Sequence, residues 1–240
     1  MAVAPQLQYV TVPATAQHTA TVICIHGLGD SAQGVKPLVD MTDPALAHVK
    51  WLLPNSPVRP VKANMNMVMP SWYDIYSFGL DGAEDEEGML KSAVLINELI
   101  KYEIETNGID PSRIILGGYS QGGVMSVLTG LTGNYKLAGI FVLSGWLPLR
   151  TKFKELASEN AVSIPIFWAA GNSDPLVKGE LNRESLRILN EEVGIPAAQP
   201  GKLGGIFSKI YNMRHGTTQE ERDELTAFIK MAIPANRNPL

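Results

Sequence analysis

The sequence predicts an α/β fold, a mainly parallel twisted sheet with helices on both faces, and three observations predict it. Short β-rich runs alternate along the chain with longer amphipathic stretches, the pattern of successive β-α-β units. No internal repeat, low-complexity tract or break in composition interrupts the alternation, so residues 1–240 read as one domain with its core over about 20–232. A chain of 240 residues with 45% hydrophobic content is also long enough to bury roughly 70% of the surface that it exposes when unfolded.

Taken in order, the predicted strands are "ATVICIH" (20–26), "KWLLP" (50–54), "RIILGGY" (113–119), "AGIFVLS" (138–144), "IPIFWAA" (164–170) and "GIFSKIYN" (205–212). Each is short, rich in β-branched or aromatic residues and bounded by turn residues. Helices are expected over 84–106, 121–132, 179–193 and 218–232. In the first of these, Leu90, Ala93, Val94, Ile100 and Ile104 recur near helical spacing, and "EDEE" at 84–87 supplies negative charge where the helix dipole is positive. That acidic cluster reads as a helix start, because no His or Cys lies near it to complete a metal site. Residues 55–83 differ in texture: "NMNMVMPSWYDIYSFGL" is rich in Met and aromatics without a period of two or 3.6, and reads as a loop.

Composition excludes several functions. A net charge of -4 gives no electrostatic footprint for nucleic acid. The single cysteine, Cys24, sits inside an apolar run and reads as a buried thiol, which fits the cytosol or nucleus. No run of 18 apolar residues, basic-then-apolar N-terminus or lipidation signal is present, so only transient contact with a membrane surface is expected.

The stretch "GGYSQGG" at 117–123 places Ser120 between a predicted strand and a predicted helix. There "GYSQG" matches the G-x-S-x-G turn that lifts a serine hydroxyl above a sheet. Alone the pattern is weak, arising by chance in about one chain in ten of this length; the strand before and helix after give it weight. A serine needs a base and a group to orient that base. Downstream of Ser120 the chain has one histidine, His215, and between the two one aspartate, Asp174. Both follow predicted strands, which delivers them to the sheet edge that carries the serine. Glu155, Glu159, Glu180 and Glu184 also satisfy the chain order but fall in helical or loop stretches. Singly, Asp174 before Pro175 suits a turn and His215 before Gly216 suits a surface position; the joint arrangement favours catalysis. For the developing oxyanion the backbone N–H groups of Gln121 and of Leu28, in "HGLGDS" at 26–31, are the expected donors. His26 precedes the serine and is read as holding that loop, while His18 and His48 read as exposed.

Together "HGLGDS", "PNSPVRPVKANMNMVMPSWYDI", "RIILGGYSQGG", "LSGWLPLR", "DPLV" and "RHG" resemble the acyl-protein thioesterases, serine hydrolases of the phospholipase/carboxylesterase family. The resemblance spans about residues 20–230. It implies an α/β-hydrolase fold and removal of palmitoyl and related chains from protein cysteine thioesters, with lysophospholipids or small esters as further substrates. Ser120, Asp174 and His215 match the family's triad, Leu28 and Gln121 its oxyanion positions, and Ile75, Trp146 and Leu176 its acyl channel. Where family members often have a His-Gly pair ahead of the acid, this chain has Ala170-Gly171, and Ala2 stands where some members carry an acylated Cys. The partners expected are S-acylated proteins, with no nucleic acid, no metal and no cofactor, and the chain is expected to be a monomer or weak homodimer. Independently of the resemblance, the Met and aromatic residues from 65 to 78 read as a loop that, with Trp146 and Leu176, forms an apolar groove for a flexible acyl tail. A broad small-molecule carboxylesterase, or a binding module without catalysis, would share the same fold.

Overall fold

The computed structural model describes residues 6–39, 43–77 and 82–235. Its centre is a seven-stranded sheet built from β1 (Tyr9–Val12), β2 (Ala20–Ile25), β3 (Val49–Pro54), β6 (Ile114–Tyr119), β7 (Gly139–Leu143), β8 (Ile166–Gly171) and β9 (Ile206–Tyr211). The strand order is β1-β3-β2-β6-β7-β8-β9; β1 runs antiparallel to β3 and every other pairing is parallel. Strands β2, β7 and β8 are buried along their whole length, which is why they read as continuous apolar runs rather than alternating ones.

Successive residues of each strand nonetheless feed different cores. Ile23, Ile25, Leu116, Val142 and Trp168 pack on one face, under α2 (Glu86–Glu105) and α3 (Gln121–Thr132). Val22, Cys24, Ile115, Phe141 and Ala169 pack on the other, under α1 (Ala32–Val39) and α6 (Gln219–Ala232). A short α4 (Phe153–Leu156) follows β7, and α5 (Gly179–Arg187) passes into a π-type turn over Ile188–Glu192.

The structure corrects four details. In α2 the buried face is Met89, Ala93, Ile96, Leu99 and Ile100, whereas Leu90 and Val94 are exposed, so the apolar stripe lies beside the one the spacing suggested. The segment after β3 is not a plain loop: β4 (Val58–Val61) and β5 (Met67–Pro70) pair as an antiparallel hairpin. Residues 62–66 connect the two strands through a 3-10 turn over Lys62–Asn64, after which Met65 and Asn66, at φ of 53° and 58°, take left-handed positions that close the connection without a glycine. Phe78 to Leu80 of the same stretch lie outside the described residues. His48 is buried and donates from Nε2 to the Ile233 carbonyl at 2.9 Å, and His18 is half-buried against Thr21. The acidic run does start α2, where Asp85 accepts from Gly88 N at 3.1 Å.

Candidate active site

Strands β6, β8 and β9 are parallel, so the segments that follow them leave from one edge of the sheet, where doubly wound folds bind ligands. Ser120 follows β6, Asp174 follows β8 and the third residue of the set, His215, follows β9. Ser120 has φ 53° and ψ -119°, a conformation that costs an ordinary side chain about 1–3 kcal/mol and marks functional turns. The turn is held by Ser120 N donating to the Leu143 carbonyl at 2.8 Å and Val124 N donating to the Ser120 carbonyl at 3.1 Å.

The three side chains meet. Ser120 Oγ lies 2.9 Å from His215 Nε2, and His215 Nδ1 lies 2.7 Å from Asp174 Oδ2. A carboxylate only accepts, so Nδ1 carries the proton and Nε2 is left as an acceptor facing the serine hydroxyl. Asp174 is buried and its second oxygen, Oδ1, accepts from Leu176 N at 2.8 Å and Val177 N at 2.9 Å. The Tyr119 ring packs against the imidazole with centroids 5.1 Å apart.

The loop after β2 passes directly beside the nucleophile: a Cβ on Gly27 would lie 3.4 Å from Ser120 Cβ. The loop that carries Leu28 therefore lies beside the serine, and Gln121, the first residue of α3, follows the serine directly in the chain. First-turn N–H groups have no acceptor within their own helix, so the Gln121 amide is available to an anion. The loop is fixed by His26, whose Nδ1 donates to the Gly27 carbonyl at 2.7 Å and whose Nε2 accepts from Ser56 N at 3.0 Å. Burial pushes the His26 pKa down, in keeping with a neutral ring that holds structure rather than exchanging protons.

Sequence reasoning missed the Gln121 side chain. Fully buried, it accepts from Trp72 N at 2.9 Å and donates to the Tyr73 carbonyl at 2.8 Å and Ser71 Oγ at 3.0 Å. Trp72 in turn donates from Nε1 to the His26 carbonyl at 3.0 Å. One residue therefore ties the nucleophile turn to the segment 71–73 and, through it, to the loop carrying Leu28. No local pattern signals these contacts, which span about fifty positions.

Ile75, Trp146 and Leu176 line one cavity with Tyr73, Glu84 and Met89. Its volume is about 30 Å³, room for one or two water-sized groups rather than a whole long chain. Of the stretch 65–78, Tyr73, Ile75 and Tyr76 line it, whereas Met65 and Met67 do not, being exposed on the β4–β5 hairpin, which corrects their expected place in the groove. Among the described residues no cluster of three or more metal-ligating side chains occurs.

Below the His215 loop, Glu221 is fully buried in a capping box with Thr218 at the start of α6. Burial raises its pKa to about 7 from 4.5. A carboxyl that binds its proton more tightly when folded stabilises the fold fully below pH 4.5 and loses that contribution as pH rises through 7. The span corresponds to about 3 kcal/mol. Glu221→Gln is accordingly expected to flatten the fall in melting temperature between mildly acidic and mildly alkaline buffer; an unchanged slope would place the titration elsewhere.

A family model described as phospholipase/carboxylesterase matches residues 7–233. A Cryptococcus neoformans protein named acyl-protein thioesterase 1 is 39% identical over 95% of this chain and 98% of its own. One of the same name from Schizosaccharomyces pombe is 45% identical over 77% of this chain and 81% of its own. The crystal structure of Zea mays acyl-protein thioesterase 2 superposes with a TM-score of 0.80 at 27% identity, covering 94% of this chain and 99% of that one.

Proposed function

Because the chain belongs to the phospholipase/carboxylesterase family and has the α/β-hydrolase fold, we propose that it is an acyl-protein thioesterase working through an acyl-serine intermediate. The observation that carries this reading is the unbroken hydrogen-bonded series Ser120–His215–Asp174 at 2.9 and 2.7 Å. His215 takes the serine proton as Oγ attacks the acyl carbonyl, and the Leu28 and Gln121 amides receive the oxyanion. The imidazolium, steadied by Asp174, protonates the departing sulfur or oxygen. Water then enters and loses its proton to His215 as it attacks the acyl carbon, and His215 returns that proton to Ser120 Oγ as the Oγ–acyl bond breaks and the acid leaves. A cysteine thiol of pKa about 8.5 leaves readily, an alcohol less so and an amine poorly. Lysophospholipids and small esters are therefore proposed as further substrates, and the small cavity favours the second reading of a broad carboxylesterase acting on short chains.

A long acyl chain resting in a bilayer surrenders about 0.8 kcal/mol per CH₂ on leaving it, so the mouth of the site should approach the lipid. The β4–β5 hairpin suits that approach. Val58, Met65, Met67 and Val68 are 63, 87, 56 and 70% exposed, Arg59 and Lys62 lie on the same hairpin stretch, and its last residue, Pro70, accepts from Gly29 N at 2.8 Å beside the nucleophile loop. One experiment tests both parts: hydrolysis of a palmitoylated peptide, free and on anionic vesicles, by wild type, Ser120→Ala and a Met65→Asp/Met67→Asp double variant. Ser120→Ala should lose activity everywhere, and the double variant only on vesicles. Turnover by Ser120→Ala overturns the catalytic reading; equal vesicle activity of the double variant overturns the hairpin's role.

A further inference from the structure

Two buried polar atoms beside the candidate acyl groove, Tyr73 Oη and Glu84 Oε1, have no hydrogen-bond partner among the described residues. Such an atom costs about 1–3 kcal/mol, and native structures keep few without a reason. Both residues line the cavity shared with Ile75, Met89, Trp146 and Leu176. Their backbone and second contacts fix them in place. Tyr73 is 2% exposed and its carbonyl accepts from Gln121 Nε2 at 2.8 Å, while Glu84 Oε2 accepts from Leu149 N at 2.8 Å and leaves Oε1 turned aside.

The two atoms are chemically complementary. A phenol donates, a carboxylate oxygen accepts, and an alcohol placed between them does both. They are not bonded to each other, but both residues line the one cavity, and Arg150 lines it too, its charge acting on the Glu84 carboxyl. The cavity volume of about 30 Å³ exceeds the ~10–15 Å³ that one water-sized group requires, which leaves space for a hydroxymethyl group. A methyl end there would satisfy neither atom.

We propose that this cavity is a hydroxyl-recognition subsite, and that the enzyme favours acyl chains carrying an alcohol over the same chains ending in methyl. The inference rests on the acyl-hydrolase reading above and adds a substrate class to it. Discrimination arises as in any site built to bond a hydroxyl: the analogue lacking the group leaves buried polar atoms unpaired.

The test compares kcat/KM for matched thioester pairs, plain and terminally hydroxylated, across a series of chain lengths, with wild type, Tyr73→Phe, Glu84→Gln and Ser120→Ala. Wild type should prefer the hydroxylated member about tenfold at one length, and the preference should vanish in Tyr73→Phe and fall in Glu84→Gln. Because the readout is a ratio within each variant, a general loss of activity does not imitate the result. Inhibition by the free hydroxy acids should follow the same order of variants. No preference at any length in wild type, or a preference that survives both substitutions, overturns the subsite and assigns the two atoms to a buried water. Absence of Ser120-dependent thioester turnover instead overturns the acyl-hydrolase reading on which the subsite rests.

Discussion

Asp174→Asn is expected to lower turnover of a thioester by about four orders of magnitude while leaving the melting temperature nearly unchanged. The two oxygens of Asp174 do different work. Oδ1 accepts from the backbone N–H groups of Leu176 and Val177 at 2.8 and 2.9 Å, and an asparagine carbonyl can keep both bonds. Oδ2 faces His215 Nδ1 at 2.7 Å, and there the asparagine would present an NH₂ that donates. The imidazole must then accept at Nδ1 and carry its proton at Nε2, turned toward Ser120 Oγ, so it can no longer take the serine proton. Asp174→Ala separates the effects, since it removes the acceptor for two buried N–H groups at about 1–3 kcal/mol each and should also lower the melting temperature. If Asp174→Asn kept more than a tenth of wild-type turnover, orientation of His215 would have to come from elsewhere.

The same division between local and distant contacts explains what the sequence revealed. Central strands such as β2, β7 and β8 are buried on both faces, so each had to be a short apolar run bounded by turn residues, and such runs are visible without knowledge of neighbours. Ser120, Asp174 and His215 were legible because parallel strands must end at one edge, and the serine's candidate partners each follow such a strand. The hairpin β4–β5 was hidden because Pro60 and Pro70 sit in its strands and its turn lacks glycine. The α1 helix was hidden by Gly34 and Pro37 within eight residues. The side chains of Gln121, Tyr73 and Glu84 carry no sequence signal for what they do. Their contacts depend on packing between segments far apart in the chain, and a glutamine or tyrosine in an ordinary helix or loop looks the same.

Gly122→Ala should have the largest effect on stability of any single methyl added to this chain near the site. A Cβ there would lie 2.0 Å from the Ile25 carbonyl oxygen, 2.6 Å from its carbon and 2.7 Å from the His26 carbonyl oxygen. These are backbone atoms, and Ile25 ends β2, a strand held between β3 and β6, so no side chain can swing aside to make room. At Gly118 the corresponding Cβ would meet Ile25 O at 2.5 Å and Gly122 C at 2.6 Å, which shows why both glycines of G-x-S-x-G are needed. Relief requires α3 to lift from the sheet or the end of β2 to retreat. Either movement shifts the His26 carbonyl that Trp72 Nε1 bonds at 3.0 Å, and with it the loop that carries Leu28. A loss of about 4 kcal/mol is expected, read as a fall of roughly 8–16 °C in melting temperature for a chain of this size. Any folded fraction should label slowly with a fluorophosphonate. Gly216→Ala is the control, because a Cβ there meets nothing within 4 Å. Equal melting temperatures for the two variants would mean that the turn has more freedom than its backbone contacts allow, and the strain at Ser120 would then lose its structural cause.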